Sequence, residues 1–260
     1  MEPAGSSPSE ILKQILEGRY DKPFILDHGA LRYLHFNFDR VESLMHRDDP
    51  DGLCLTYTRK MMVFLLFNSR PRRILFLGLG GGSLAKFCYR RLPTAKLTVL
   101  ESDPNVIALR EEFRVPADDE RFRVVRGDGI RYIARVRPRK DVILVDAYDP
   151  HGIPPGLASA QFYKDARRRL SRSGVLVVNV FGDESERATH IALIRDVFGG
   201  RLILLPVGEH ENIIALAFGV DVTLSHLHRF KVRARSLKEQ LGLDFPRYLR
   251  KIASCSVSSS

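Results

Sequence analysis

The chain has 260 residues, 44% hydrophobic and 28% charged, an average balance for a globular protein and long enough to bury a sizeable core. That composition excludes a disordered, collagen-like or disulfide-scaffold chain, and the longest apolar run, Met61 to Phe67, is far too short to span a bilayer. Forty-one basic against 31 acidic residues leave a net charge of +10, but the cations are spread along the chain, in groups such as Arg135 to Lys140 and Arg167 to Arg172. A solvated surface is therefore expected rather than a nucleic-acid groove, because a charge run alone carries no groove-reading element. The opening residues show neither a basic n-region nor an apolar h-region, so a cytoplasmic location is the expectation. Cys54, Cys88 and Cys255 are widely spaced and odd in number, which fits free thiols and neither a disulfide framework nor a metal site.

In chain order, Ile11, Leu12, Ile15 and Leu16 recur at helical spacing. Leu31 to Phe38 alternates apolar with polar residues and predicts a strand, with Asp39-Arg40 turning into a second, and Tyr57 to Phe67 predicts a helix. Residues 1–69 thus read as a helix and a small β-hairpin region. From residue 70 to 219 the pattern changes. Five short apolar strands, 74–77, 97–100, 122–125, 142–145 and 175–178, alternate with helical stretches at 83–92, 104–113, 130–134 and 160–170. That alternation predicts a parallel sheet covered by helices on both faces, the doubly wound α/β class. After a helix over 190–198, the strands 201–205 and 212–218 are joined by too short a loop for a helical crossover and must pair antiparallel. Residues 220–260 predict one or two basic amphipathic helices that fray from Ser254.

Four features carry chemistry. Gly78-Leu-Gly80-Gly81-Gly82-Ser83 sits between a strand and a helix, where glycines admit a ligand close to the backbone and the helix start offers free N–H groups. Glu101 ends the second strand 23 residues beyond Gly78, placed to accept both hydroxyls of a ribose. Asp128, between two glycines after the third strand, can accept from an adenine amino group. Asp146-Ala-Tyr148-Asp149-Pro150 follows the fourth strand, so two carboxylates three residues apart stand at the ligand-binding edge of the sheet. They predict a negative pocket for a cationic substrate, with one carboxylate able to take a proton from an amine. Pro154-Pro155-Gly156 reads as a loop that closes over it, and Glu209-His-Glu211 as a possible source of further negative charge.

Ile74 to Gly82, Leu100-Glu-Ser-Asp103, Arg126-Gly-Asp-Gly129, Asp141 to Pro150 and Gln161-Phe-Tyr163 together resemble the polyamine aminopropyltransferase family, which includes spermidine synthase. The resemblance spans roughly Leu31 to Phe218. It implies a methyltransferase-like, Rossmann-type, mostly parallel sheet with an antiparallel C-terminal strand. It also implies a transferase of polyamine biosynthesis that uses decarboxylated S-adenosylmethionine and no metal, with a small-molecule amine as acceptor and a homodimer as the assembly. Carried over by position, Gly78, Gly80, Gly81, Glu101 and Asp128 bind the nucleoside, Asp146 is the base, and Tyr148 and Asp149 hold the acceptor.

The chain departs from the family pattern at three places. Gly81 stands where the family carries a loop aspartate, Arg59 lies in Tyr57-Thr-Arg where the family has Tyr-His-Glu, and Glu42 aligns with a glutamine. The glycine at 81 keeps intact S-adenosylmethionine open as donor, and with it a methyltransferase reading. Gly78, Gly80 and Ser83 also approach a dinucleotide fingerprint, and a non-catalytic nucleoside-binding module is a further alternative.

Overall fold

The computed structural model describes residues 8–20, 22–37, 41–148, 152–154, 156–208, 212–222 and 227–257. Helix α1 (Pro8–Leu16) precedes three strands, β1 (Phe24–His28), β2 (Leu31–His35) and β3 (Ser43–His46), paired antiparallel in that order. The expected hairpin is thus a three-stranded sheet. Phe24-Ile-Leu lacks the alternation that marks a half-buried strand, and β1 is held by its register against β2, from Phe24 opposite His35 to His28 opposite Leu31. Helix α2 (Thr56–Met61) continues as a 3₁₀ turn through Leu66, and Met61 to Leu66 are all buried.

The large sheet contains β4 (Arg73–Leu77), β5 (Lys96–Glu101), β6 (Phe122–Arg126), β7 (Lys140–Val145), β8 (Leu170–Val180), β9 (Leu202–Pro206) and β10 (Ile213–Phe218). Their order is β6-β5-β4-β7-β8-β10-β9, and β10 runs antiparallel to both neighbours. Interleaved are α3 (Ser83–Arg91), α4 (Pro104–Ala108), α5 (Gly129–Arg135), α6 (Ala160–Arg169) and α7 (Glu184–Val197). Successive strand residues serve opposite faces, as the two-residue repeat of a strand requires. Ile74, Phe76, Val142, Leu144, Val175 and Val177 enter one core with Met61 to Leu66. Leu75, Leu77, Ile143, Val145, Leu176 and Val178 enter the other with Phe162, Tyr163, Ile194 and Phe198.

Three elements differ from the sequence pattern. Helix α4 stops at Ala108 rather than near Phe113, because the following turns carry Phe113 into the core, where its carbonyl accepts from Lys86 at 2.6 Å. Helix α7 starts six residues before the expected 190, held by a reciprocal cap between Asp183 and Glu186. At the C-terminus, α8 (Lys231–Leu241) and α9 (Phe245–Val257) pack Leu237, Phe245, Leu249 and Ile252 into the core shared with Met61 to Leu66. Burial of that face carries α9 past Ser254, where fraying was expected. Among the described residues no helix is long and apolar enough to cross a membrane.

Lys86 of α3 is fully buried, with its ammonium between the Phe113 carbonyl and Met45 Sδ at 3.2 Å. Burial pushes its pKa from 10.5 down to about 8. Between those values the unfolded chain binds the extra proton, so this residue makes stability rise with pH across that window and contributes no slope below it. Lys86→Met is expected to remove this contribution from the slope, leaving those of Lys60, also lowered to about 8, of Lys140, lowered by burial, and of Cys88, which burial raises and which acts in the opposite sense above pH 9.0. Urea midpoints at the two ends of the window test this, and a slope unchanged by the substitution would refute it.

Candidate active site

The strand order reverses between β4 and β7, and open α/β sheets bind ligands in the crevice at such a point. A cleft of about 1400 Å³ opens there, lined by the carboxyl ends of β4, β5, β6 and β7 and by residues of the N-terminal sheet and α2. Gly78 is the residue that lets the two central strands end so close together. Its φ is +100°, and a Cβ at this position would lie 2.1 Å from the Asp146 carbonyl oxygen. Gly80 also lines the cleft in a left-handed conformation, whereas Gly81 is buried beneath the loop. A Cβ at Gly81 would meet Ser43 Oγ at 2.7 Å and Phe113 at 2.8 Å, so this loop has no room for a side chain there. The contribution of Gly81 is therefore to loop packing, while Gly78 and Gly80 face the ligand space.

Glu101 is held by two backbone donors. Leu79 N–H reaches Oε2 and Asp103 N–H reaches Oε1, each at 2.9 Å, which ties the glycine loop to the end of β5. Asp128 caps α5, its Oδ1 accepting from Ile130 N–H at 2.7 Å and Arg131 N–H at 3.3 Å. Its second oxygen lies 3.7 Å from Arg131 Nε at the cleft rim.

Asp146 is a half-buried carboxylate at the carboxyl end of β7, in the wall of the cleft. Asn179 Nδ2 of β8 donates to its Oδ1 at 2.9 Å, and the Tyr57 hydroxyl of α2 stands near enough to act on it as a second donor. Burial raises its pKa above the usual 3.8, and those two donors work against the rise. Burial, followed by the adjacent Asp146 charge, pushes the Tyr57 phenol well above its usual value, so it remains a donor. The Tyr148 ring lines the cleft, but its hydroxyl is committed to the scaffold, donating to the Asn179 carbonyl and accepting from Phe181 N–H at 3.0 Å. Tyr148 thus offers a substrate its ring rather than its hydroxyl. Asp149 lies outside the described residues, as do Pro155 and Glu209 to Glu211, while the flanking Val207 and Asn212 line the cleft.

Asn179 and Asn212 have site positions that the sequence reading did not assign, and Tyr57, the one residue kept of the family's Tyr-His-Glu, lines the cleft beside them. The signal for Asn179 was a lone amide in the apolar run Val175 to Val180, which has no reason to be there unless it meets a partner. Arg59 does not reach the cleft, since its guanidinium donates to the carbonyls of Leu53 at 2.6 Å and Cys54 at 2.9 Å. Glu42 does line it, close enough to add its negative field to Tyr57 and Tyr148. Among the described residues, Glu42, Glu101, Asp103, Asp128 and Asp146 line the cleft and no lysine, arginine or histidine does. A chain of net charge +10 therefore carries an acidic cleft.

The family model for the spermine/spermidine synthase domain matches residues 55–190. A polyamine aminopropyltransferase of Chromobacterium violaceum is 36% identical over 229 residues, covering 88% of each chain. One of Neisseria meningitidis serogroup A is 37% identical over 227 residues, covering 86% of each. Among solved structures, a probable spermidine synthase from Corynebacterium glutamicum has the same fold, with a TM-score of 0.68 at 18% identity over 82% of this chain and 83% of that one. The domain match and the extent of these two relationships place the chain in the spermine/spermidine synthase family.

Proposed function

We propose that this protein is an aminopropyltransferase, moving the aminopropyl group of decarboxylated S-adenosylmethionine to the amine of a polyamine or related acceptor. The observation that carries this reading is the sign of the cleft, five carboxylates and no basic side chain among the described residues. Donor and acceptor are both cations, a sulfonium and an ammonium, and their mutual repulsion must be offset if they are to approach within bonding distance. The same field disfavours the carboxylate of intact S-adenosylmethionine, which supports the decarboxylated form as donor.

Glu101 accepts from the ribose hydroxyls, Asp128 caps the adenine end, and Gly78 and Gly80 allow the nucleoside to lie against the backbone. Asp146 takes the proton of the attacking amine, and the nitrogen lone pair displaces at the methylene next to sulfur. The C–N bond forms as the C–S bond breaks, methylthioadenosine leaves, and the proton rests on Asp146. Because a sulfonium is already a good leaving group, the protein needs mainly to align the nucleophile and keep it unprotonated. The rings of Tyr57 and Tyr148, with Asp149 next to Tyr148 in sequence, hold the acceptor chain.

The test is to incubate the protein with decarboxylated or intact S-adenosylmethionine and a mixture of diamines and polyamines, and to identify the products by mass spectrometry. Methylthioadenosine formed only with the decarboxylated donor and an amine is expected, and the mass of the new amine names the acceptor. S-adenosylhomocysteine from the intact donor would instead make the protein a methyltransferase.

A further inference from the structure

Asp146 Oδ1 accepts from Asn179 Nδ2, and Asn179 Oδ1 in turn accepts from Asn212 Nδ2 at 2.9 Å. An amide can be turned over with little change of shape, and only its neighbours decide which end faces which way. The backbone of Asn179 has no freedom to compensate. Its carbonyl takes the Tyr148 hydroxyl, and it is paired with Ile214 of β10 in the sheet. Asn212 is equally fixed, because its carbonyl accepts from Val207 N–H at 3.0 Å and closes the hairpin between β9 and β10.

We propose that Asn212 is a positioning residue for the transfer reaction: by donating to Asn179 Oδ1, it sets the amide orientation that presents a donor to Asp146. The proposal rests on the assignment of Asp146 as the base. It also makes the β9–β10 hairpin part of the catalytic geometry, since the residue that closes the hairpin begins the relay. Among the described residues, the other titratable groups near Asp146 are Tyr57 from α2, Tyr148 from the segment after β7 and Glu42 ahead of β3. None of them donates to Asn179 Oδ1 in the relay.

The discriminating variant is Asn212→Asp, which preserves shape but can only accept while ionised. Asn179 must then turn its Nδ2 toward residue 212 and its Oδ1 toward Asp146, setting two acceptors against each other. A hydrogen bond to a charged group carries roughly one to two pH units of preference for the ionised base. The acidic limb of kcat is therefore expected to move upward by about one unit. On that limb kcat is expected to fall by up to about ten-fold at a given pH, with methylthioadenosine affinity unchanged. Asn212→Leu, which removes the donor without reversing polarity, should show the same changes to a smaller extent.

A side chain that serves only to fill space would tolerate aspartate better than leucine, so that order of effects, or an unmoved acidic limb in Asn212→Asp, would overturn the proposal. Should Asn212→Asp also lose nucleoside binding, Asn212→Leu decides in its place, a raised limb supporting the relay and an unmoved one refuting it. Asp146→Asn measured alongside separates the two levels. Normal turnover in that variant removes the base assignment and the relay with it, whereas an inactive Asp146→Asn beside a normal Asn212→Asp removes only the relay.

Discussion

Asp146→Asn is expected to lower kcat by about 10²- to 10⁴-fold, the usual contribution of a positioned general base, while leaving methylthioadenosine affinity within about two-fold. The substitution keeps the shape of the side chain, and its amide oxygen can still accept from Asn179 Nδ2 or from Tyr57. The capacity to take the amine proton is lost, and the amide nitrogen faces whichever of the two donors the oxygen does not serve. The nucleoside contacts assigned to Glu101 and the glycine loop lie at the ends of other strands and do not pass through this carboxylate. Burial places the pKa of Asp146 above 3.8, and the carboxylate works only when ionised, so kcat rises as pH rises through that value. In Asp146→Asn that acidic limb should disappear together with the rate. Isothermal titration with methylthioadenosine and a pH series of initial rates make the comparison, and normal turnover would take Asp146 out of the mechanism.

Glu101→Gln should act on binding instead. Glu101 accepts from Leu79 N–H with one oxygen and from Asp103 N–H with the other, so an amide must set its NH₂ group against one of those donors. The substitution therefore loosens the glycine loop as well as removing the charge offered to the ribose. Hydrogen bonds to a charged group are worth about 1.5–3 kcal/mol, and every 1.4 kcal/mol is ten-fold in affinity. A weakening of methylthioadenosine binding by roughly 100-fold is expected, with turnover recovered in large part at saturating donor. Unchanged affinity would argue against the ribose role. The two variants thus divide along the cleft, one losing rate and the other losing nucleoside.

The elements legible in the sequence are those set by short-range pattern. Runs such as Val142 to Val145 admit few structures other than a buried strand, and the glycine loop after β4 is followed by a helix as its composition requires. Because parallel strands place their carboxyl ends at one edge, strand order along the chain was enough to bring Gly78, Glu101, Asp128 and Asp146 to a common cleft. The antiparallel pairing of β10 likewise followed from a connection too short to cross over.

Contacts between distant segments were not legible. Tyr57 and Asn179 reach Asp146 from α2 and β8, and Asn212 reaches Asn179 from the start of β10, separations over which no local periodicity carries information. Arg59 departs from the family pattern two residues after Tyr57, but its guanidinium turns away from the cleft to the Leu53 and Cys54 carbonyls. Gly81 matched the ligand loop in sequence and is used for packing against Ser43 and Phe113. The sequence by itself determined the sheet, its edge and the carboxylates that stand there, because strand periodicity and turn chemistry are local. Only the tertiary structure decided which side chains orient those carboxylates and that, among the described residues, no basic side chain joins them in the cleft. Side-chain direction and local field depend on every element packed around a site, and the chain brings those elements together only when it folds.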